Sequence, residues 1–454
     1  MKKKILTVVI IAIITLVVAL TFFMGNRNAS KNDPPQTGET LEKSESTSES
    51  TSEVTEENNN VAFSEGLEYV VENGSCTITG LGTCTDTEII IPETIDGVPV
   101  RIIGESAFQR SKNVVSIAIP DSVIAIRRFA FADCSSLTSI NIPGIISSFD
   151  GSAFAGCPNL INIEISDTIT GLCVENGILF GNDKKRLIAY PSVTGTYEIP
   201  DGVTRIDESA FSGCSNLTSV VIPDSVTIIG ENTFSGCSSL TSVTIPDSVT
   251  IIGHGAFSSC NNLTNVVIPN SVKIICDNAF SWCQSLTNVT IPNSVTSIGH
   301  SAFFACGGLT SISIPDSVTS IDLNTFCGCI SLTSINIPDS VTSIGQSAFS
   351  TCINLTDIVI PDGVTSIGKN AFSYCDNLTS VVIPDSVTNI LVDVFLDCNS
   401  LEAVYYDGSE DEWMAISMDD NEDLFSATRY YYSATQPTTT GNYWHYVDGK
   451  PTPW

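Results

Sequence analysis

Basic residues are scarce in this chain of 454 residues. Nineteen Lys and Arg stand against 50 Asp and Glu, which gives a formal net charge of −31 at pH 7. Nucleic-acid binding depends on a basic patch that neutralises phosphates, so this composition excludes a nucleic-acid partner. Only three His are present, and the sequence has no G-x-S-x-G elbow, phosphate-binding glycine loop or H-E-x-x-H pair. We therefore predict that the chain is not an enzyme and binds no cofactor.

Hydropathy divides the first 62 residues into two segments. Three lysines at positions 2–4 precede an apolar run over residues 5–25, which is long enough for a helix that spans a bilayer. The run predicts either an uncleaved signal anchor or a cleaved signal peptide over residues 1–25, and both place the rest of the chain outside the cell. Residues 26–62 are rich in Ser, Thr, Glu and Asn and predict a disordered stalk.

A repeat of 23 residues fills most of the remaining chain. Ile-Pro dipeptides recur at this interval from Ile199 to Ile383, and residues 240–260 read L-T-S-V-T-I-P-D-S-V-T-I-I-G-H-G-A-F-S-S-C. Val243 and Ile245 alternate with polar residues, which predicts a short strand with one buried face. One repeat cannot bury its apolar edge alone, so the stack predicts a solenoid with a parallel sheet of about thirteen rungs.

The signature L-x-x-V-x-I-P-x-x-V-x-x-I-G-x-x-A-F-x-x-C resembles the leucine-rich repeat in its 23-residue, BspA-like variety, over about residues 66–407. This resemblance implies a curved, right-handed repeat solenoid, α/β to mainly β, with the parallel sheet on its concave face. It also implies a cell-surface protein used for attachment, in some relatives to matrix glycoproteins of a host.

The repeat period predicts a solenoid over residues 63–406 with two irregular parts. Residues 63–104 predict an N-terminal cap, because an insert lengthens the first interval between Ile-Pro dipeptides or their equivalents. Residues 166–198 form a longer repeat, and the segment 177–191 predicts a β-hairpin that turns at Asn182 and Asp183.

Residues 407–454 predict an aromatic-rich C-terminal cap or small module. Ser409 and the acidic residues after it are typical of a helix N-terminus, whereas residues 428–432 predict a strand and residues 443–449 a hairpin. The aromatic side chains either cover the last open coil or form a platform that stacks on sugar rings or polymer headgroups. The residues proposed for such a platform are Tyr431, Trp444, Tyr446 and Trp454.

Sixteen Cys are typical of a disulfide scaffold, but eleven of them share one column of the repeat. A buried Cys packs like a small apolar group, so this column predicts a ladder of free thiols that point inward. The column contains Cys134, Cys157, Cys214, Cys237, Cys260, Cys283, Cys306, Cys329, Cys352, Cys375 and Cys398. Cys76 and Cys84 flank a predicted turn in the N-terminal cap and form the one candidate disulfide.

Two columns of the repeat carry carboxylate or imidazole groups that can bind metals. His254, Asp277 and His300 share a column, but the rung spacing separates the two His by about 10 Å, too far for one ion at about 2.1 Å from each nitrogen. Asp follows Ile-Pro in many repeats, which is compatible with Ca²⁺ between rungs or with carboxylates that cap a turn. Asn270 and Asn293 replace this Asp in two repeats, which favours the turn. We predict no metal site.

The outward face of the predicted sheet offers a smooth, weakly polar surface with no basic patch. Strong protein hot spots are rich in Trp, Tyr and Arg, so this face predicts weak, extended contact that becomes useful in many copies. Candidate binding residues on this concave face are Asn141, Glu164, Glu198, Thr244, Thr290, Ser313, Asn336 and Tyr405.

Two functions follow from this organisation. The first is an extracellular protein at the cell surface that binds a protein or glycan and adheres to host or neighbouring-cell glycoproteins. The second is a structural spacer or envelope component that displays the aromatic C-terminal module. In both, the N-terminal segment contacts the membrane, and the chain is secreted instead if that segment is cleaved.

Overall fold

The computed structural model describes residues 62–166, 171–419 and 421–454. The predicted signal segment over residues 1–25 lies outside the described residues, as does the predicted stalk apart from its last residue. Within the part of the chain that the structure describes, no helix is both long and apolar enough to cross a membrane. The described residues form a β-solenoid of about fifteen turns with parallel strands and little helix. This architecture confirms the predicted solenoid.

Each regular coil contributes two short strands rather than one. In the repeat between residues 240 and 260, the first strand is Ser242–Thr244, with Val243 buried between two exposed hydroxyl residues. Pro246 then lacks an N–H for the ladder, and a turn closes through the hydrogen bond from the Val249 N–H to the Pro246 carbonyl. The second strand, Ile251–Ile252, follows this turn. Stacked coils therefore build two parallel ladders.

The front ladder stacks the first strand of each coil and continues into the C-terminal segment. Its strands are β3 (Glu88–Ile90), β6 (Ser116–Ala118), β8 (Ser139–Ile142), β10 (Asn162–Ile165), β14 (Gly195–Glu198), β16 (Leu217–Val221), β18 (Ser242–Thr244), β20 (Asn265–Val267), β22 (Asn288–Thr290), β24 (Ser311–Ser313), β26 (Ser334–Asn336), β28 (Asp357–Val359), β30 (Ser380–Pro384), β32 (Ala403–Asp407), β34 (Thr428–Tyr432), β35 (Tyr443–Val447) and β36 (Lys450–Pro453).

The back ladder stacks the second strands and begins with an antiparallel hairpin of the N-terminal cap. Its strands are β1 (Glu68–Glu72), β2 (Ser75–Gly80), β5 (Val98–Ile103), β7 (Ala125–Ile126), β9 (Ser148–Phe149), β13 (Arg186–Ala189), β15 (Arg205–Ile206), β17 (Ile228–Ile229), β19 (Ile251–Ile252), β21 (Ile274–Ile275), β23 (Ser297–Ile298), β25 (Ser320–Ile321), β27 (Ser343–Ile344), β29 (Ser366–Ile367), β31 (Asn389–Ile390) and β33 (Ser417–Met418). Two-residue β4 (Thr94–Ile95) pairs with β5.

Stacked aromatic rings fill the centre of the solenoid. Rings of the Phe column that are one coil apart lie 5.1–5.6 Å between centroids and are tilted by no more than 21°. The rings form two continuous stacks, Phe108 to Phe154 and Phe211 to Phe395, so each inner ring packs on two others and no coil has a core of its own. The column contains Phe108, Phe131, Phe154, Phe211, Phe234, Phe257, Phe280, Phe303, Phe326, Phe349, Phe372 and Phe395.

The Cys column lies beside these rings and forms a second link between coils. All eleven of its thiols are free and buried, which confirms the predicted ladder. Each Sγ donates a hydrogen bond of 3.0–3.4 Å to the carbonyl of the Phe column residue, or of Tyr190 in one coil, 24–26 residues earlier. Burial raises the pKa of thiols such as Cys260, Cys283 and Cys306 well above the ordinary value.

Hydroxyl side chains of the repeat add further bonds between coils. Thr241 Oγ1 donates to the Thr218 carbonyl at 3.0 Å, and Thr250 Oγ1 donates to the Thr227 carbonyl at 3.2 Å. These contacts recur along the stack, so the Thr of the repeat supports the edges of both ladders.

The candidate disulfide between Cys76 and Cys84 is not formed, and both thiols are free. Cys76 is fully buried near the start of β2, whereas Cys84 lies beyond the far end of that strand. The strand from Cys76 to Gly80 alone spans about 13 Å, well beyond the Cα separation of about 7 Å that a bridge tolerates. The sequence separation of eight residues hid this extended strand.

The irregular repeat contains the predicted hairpin and one additional strand. β11 (Leu172–Glu175) pairs with β12 (Ile178–Gly181), and β12 pairs with β13 on the far side of the predicted turn. Every residue of β12 is buried, because its alternate side chains enter two separate core clusters. Phe180 packs with the C-terminal coils, whereas Leu179 packs with the N-terminal coils. The hairpin therefore lies between the two core clusters and contributes side chains to both.

The C-terminal segment closes the last coil with side chains and two short helices. Ser409 and Glu412 form a capping box at the start of α1 (Glu410–Ala415), as the sequence predicts for this helix N-terminus. Before α2 (Glu422–Ser426), the Asn421 side chain accepts the Val394 N–H at 2.8 Å and donates to the Leu391 carbonyl at 2.9 Å. In the regular coils the equivalent groups bond to each other, as the Ala371 N–H does to the Gly368 carbonyl, so the Asn421 side chain replaces that bond and links the C-terminal segment to the last regular coil.

We predict that the Cys column is inert in the folded chain. At neutral pH, N-ethylmaleimide should modify half-buried Cys84, Cys173 and Cys276 long before any thiol of the column, because only an exposed thiolate reacts. In urea all sixteen Cys should react. Mass spectrometry of peptides after timed labelling measures these rates. Equal labelling of the column before and after addition of urea would contradict the buried ladder.

We also predict that Asn421→Ala destabilises the fold. The substitution leaves the Val394 N–H and the Leu391 carbonyl buried without partners, which should lower the free energy of unfolding by about 1–3 kcal/mol. Urea unfolding followed by circular dichroism measures this change. The matched control is Asn442→Ala at an exposed position, where a change within about 0.5 kcal/mol is expected. Equal effects of the two substitutions would refute the proposed cap.

Candidate binding surface

The outer face of the front ladder displays two side chains from each regular coil. Six of the eight predicted binding residues are exposed there, and Asn141 and Tyr405 are half-buried. Parallel register places the residues of one column directly beside each other, for example Ser313 beside Asn336 and Asn141 beside Glu164. The structure thus places the predicted residues on the outer face of the front ladder. Neighbours within a column are separated by the distance between adjacent strands.

The irregular repeat divides this surface into two parts. Glu164 on β10 ends a sheet of four strands, and Glu198 on β14 begins a separate sheet of five strands. The hairpin strands β11 to β13 lie between them in the chain. Asn141 and Glu164 therefore belong to the first part, and the other six predicted residues belong to the second.

The second part of this face is more apolar than its Ser and Thr residues suggest. Val267 is 67% exposed and Val359 is 49% exposed, in the same column as Thr244 and Thr290. The Ser219 and Ser242 hydroxyls lie 3.1 Å apart and bond to each other. An alternation of β-branched and hydroxyl side chains on flat backbone suits broad contact with a partner rather than enclosure of a small molecule.

The C-terminal strands extend this column as a row of aromatic rings. Tyr405 on β32 pairs in register with Tyr430 on β34, and their rings stack at 5.3 Å. Tyr432 pairs with Trp444 on β35, whose indole lies 5.5 Å from the Tyr405 ring. The concave-face column and the aromatic tail are two separate features in the sequence, but in the structure they form one surface. We call Tyr405, Tyr430, Tyr432, Trp444 and Tyr446 the tyrosine patch.

Trp444 is the buried floor of the tyrosine patch. It has no exposed surface, and its Nε1 donates to the Tyr406 carbonyl at 2.9 Å. The rings of Tyr446 and Tyr432 lie 4.8 and 5.3 Å from the indole, and these two side chains remain 44% and 40% exposed. Packing on Trp444 therefore holds the two exposed rings in fixed positions.

The four aromatic residues proposed from the sequence do not form one platform. Tyr446 and Trp444 lie together, but Tyr431 is on the opposite face of β34, where it packs against the core. Trp454 stacks on His445, with ring centroids 3.6 Å apart, on the opposite face from Trp444. Strand alternation separates them, so one face of the tail packs against the last coil and the other carries an exposed aromatic cluster.

Carboxylates border the tyrosine patch. Asp407 follows Tyr405 by two residues and so lies on the same face of β32, and Asp385 lies directly after the residue that pairs with Asp407. Burial and then the charges of Asp362 and Asp385 raise the pKa of Asp407 above its ordinary value. Burial and then the charges of Asp407 and Asp362 raise the pKa of Tyr446. Asp362 and Asp385 therefore act on Asp407, and Asp407 and Asp362 act on the patch.

His254 and His300 are exposed, and Asp277 is half-buried between them in the same column. Asp277 Oδ1 accepts the His300 backbone N–H at 2.9 Å, while Asp277 Oδ2 lies 3.7 Å from His254 Nδ1. Asp277 thus joins three coils at the surface. Among the residues that the structure describes, no three His, Cys, Asp or Glu side chains are grouped as a metal site requires.

Comparisons with known proteins agree with this architecture. The family model described as "BspA type Leucine rich repeat region (6 copies)" matches residues 82–176, 190–309 and 296–412. No match was found among curated proteins.

Solved structures of bacterial repeat proteins resemble this chain. A leucine rich cell surface protein from Faecalibacterium prausnitzii is 29% identical, with a TM-score of 0.49 over 79% of this chain and 98% of that chain. A leucine-rich repeat protein from Bacteroides ovatus is 26% identical, with a TM-score of 0.40 over 82% and 99%. One from Eubacterium ventriosum is 23% identical, with a TM-score of 0.48 over 63% and 93%. Because the family model covers well over half of the sequence, this chain belongs to the BspA type leucine-rich repeat family.

Proposed function

We propose that this chain is a cell-surface protein that binds a protein or glycan outside the cell and mediates adhesion to host or neighbouring-cell glycoproteins. The observation that carries the proposal is the outer face of the front ladder, where exposed Val and hydroxyl side chains lead into the tyrosine patch. Membership of a repeat family whose members bind through extended surfaces supports the same conclusion.

The shape of the surface favours many weak contacts over one tight pocket. Val267 and Val359 are exposed on flat backbone, and aromatic side chains are concentrated at the C-terminal end. Weak contacts of this kind hold firmly when many copies on one cell engage many ligands on another. Adhesion is therefore the use to which the surface is best suited.

The N-terminal segments complete the proposal. Residues 5–25 would hold the chain at the membrane, or leave it secreted if they are cleaved. Residues 26–62 would carry the solenoid away from the membrane, since about 36 flexible residues reach roughly 33 Å on average.

A second candidate function is favoured by the location of the tyrosine patch. Its exposed rings lie at the end of the stack that is farthest in sequence from the membrane segment. In this alternative the coils are a spacer, and the C-terminal module alone contacts the ligand. The two functions differ in whether the middle of the front ladder takes part in binding.

We predict that acidic substitutions on the front ladder weaken binding. The full-length chain is screened against an array of matrix glycoproteins and glycans, and the strongest ligand is titrated with a Val267→Glu, Val359→Glu double variant. A carboxylate buried in the contact without a partner should weaken binding at least about tenfold. Biolayer interferometry measures the dissociation constant.

The matched control places the same substitution on the back ladder, as Ile228→Glu and Ile274→Glu. These side chains are 49% and 37% exposed, and the change in charge is identical. Unchanged binding of this control with loss in the front variant supports adhesion through the ladder. Loss only on substitution of Tyr432 and Tyr446 supports the spacer, and full binding by all variants contradicts both surfaces.

A further inference from the structure

The tyrosine patch and its carboxylates combine two groups that attract cations. Tyr432 and Tyr446 present exposed rings at fixed positions, with centroids 6.3 Å apart. Asp407 lies on the same face of the sheet, and Asp385 and Asp362 follow at successive coils. Asp362 and Asp385 share one column of the repeat, about 4.8 Å apart, whereas Asp407 lies one residue out of register with that column and pairs with Pro384. Burial and then the charges of Asp407 and Asp362 raise the pKa of Tyr446, so both carboxylates nevertheless lie near its ring.

No basic side chain of the described residues forms an ion pair with these carboxylates. Within the described residues, six ion pairs are formed, and none includes Asp362, Asp385 or Asp407. Asp407 is half-buried, so its charge is less screened by water than the charges of exposed Asp362 and Asp385. Three neighbouring like charges without a counter-charge favour binding of an external cation.

Ring faces strengthen this preference. The quadrupole of Tyr and Trp places negative potential on the ring face, which attracts Lys, Arg and other cationic groups. Sulfated or sialylated glycans carry negative charge and would be repelled by a chain of net charge −31. Neutral sugars would stack on the rings but would gain no binding energy from carboxylates that lack a counter-charge. The combination therefore favours a basic protein segment over a glycan.

We infer that the tyrosine patch, with Asp362, Asp385 and Asp407, binds a Lys or Arg side chain on a basic segment of the partner protein. This inference rests on the proposed function, because it names the class of partner that the front surface recognises. The cationic head lies over Tyr432 or Tyr446 and pairs with Asp385 or Asp407, while its methylene stem packs on the rings. The rest of the partner would extend along the front ladder.

A peptide of eight lysines is the probe, and the same peptide with acetylated lysines is its neutral counterpart. The full-length chain is titrated with each by biolayer interferometry at low and high salt. We expect the lysine peptide to bind and the acetylated one not to bind. Tyr432→Leu with Tyr446→Leu should weaken binding about fivefold, since Leu keeps apolar area but lacks the ring quadrupole. Asp385→Asn with Asp407→Asn should weaken it by at least as much.

Matched controls separate this site from the general negative charge of the chain. Asp224→Asn with Asp247→Asn removes the same charge from the repeat column of Asp385, far in sequence from any exposed aromatic ring. Tyr374→Leu removes another exposed tyrosine, which is 39% exposed. Circular dichroism verifies that each variant is folded. The inference holds if the patch variants lose binding and the controls lose less than twofold.

Two results would overturn the inference. If the Asp224 and Asp247 pair weakens binding as much as the Asp385 and Asp407 pair, the peptide responds only to net charge. If a neutral oligosaccharide binds the patch and the Asp385 and Asp407 variant binds it equally well, the site recognises sugars. The proposed function is tested separately, because dependence of the array ligand on Val267 and Val359 survives either result.

Discussion

Contact between coils is the constraint on which the rest of this structure depends. The Phe280 ring packs between those of Phe257 and Phe303, and the Cys306 thiol donates to the Phe280 carbonyl across the same boundary. No coil has a core of its own, so every buried group must meet its counterpart 23 residues away. In the regular coils the repeat length is therefore fixed by geometry, and beyond them Asn421 links the C-terminal segment to the coil that contains Val394.

Much of this fold could be predicted because local patterns and the period agree. Alternation around Val243 predicted the front strand, and capping residues predicted the helix after Ser409. Turn residues predicted the hairpin over residues 443–449. The back ladder was missed, since two residues such as Ile251–Ile252 are too few to show an alternation. The Cys76–Cys84 bridge was wrong because sequence spacing does not reveal an extended strand.

The candidate site was only partly predictable for a related reason. A column of outward residues follows from the period, but the sequence does not show that the tail strands pair in register with the last coil. That pairing joins Tyr405 to Tyr430 and assigns Tyr431 to the other face. The same column holds Thr244, Val267 and Tyr405, while the residues beneath stay Val or Ile. The outward side chains can therefore differ from coil to coil while the buried side chains keep the stack intact. This explains how one solenoid presents different surfaces along its length.

Deletion of whole and partial coils tests the central claim most directly. Removal of residues 264–286 joins Leu263 to Thr287. The repeat is kept, because Leu263 and Leu286 are equivalent positions and are followed by the same kind of strand. The account predicts that this shortened chain stays folded, with a thermal midpoint by circular dichroism close to that of the intact chain. Removal of one residue fewer, 264–285, shifts every later column by one position and should lower the midpoint strongly. Equal midpoints for the two deletions would show that contact between matching columns does not determine this fold.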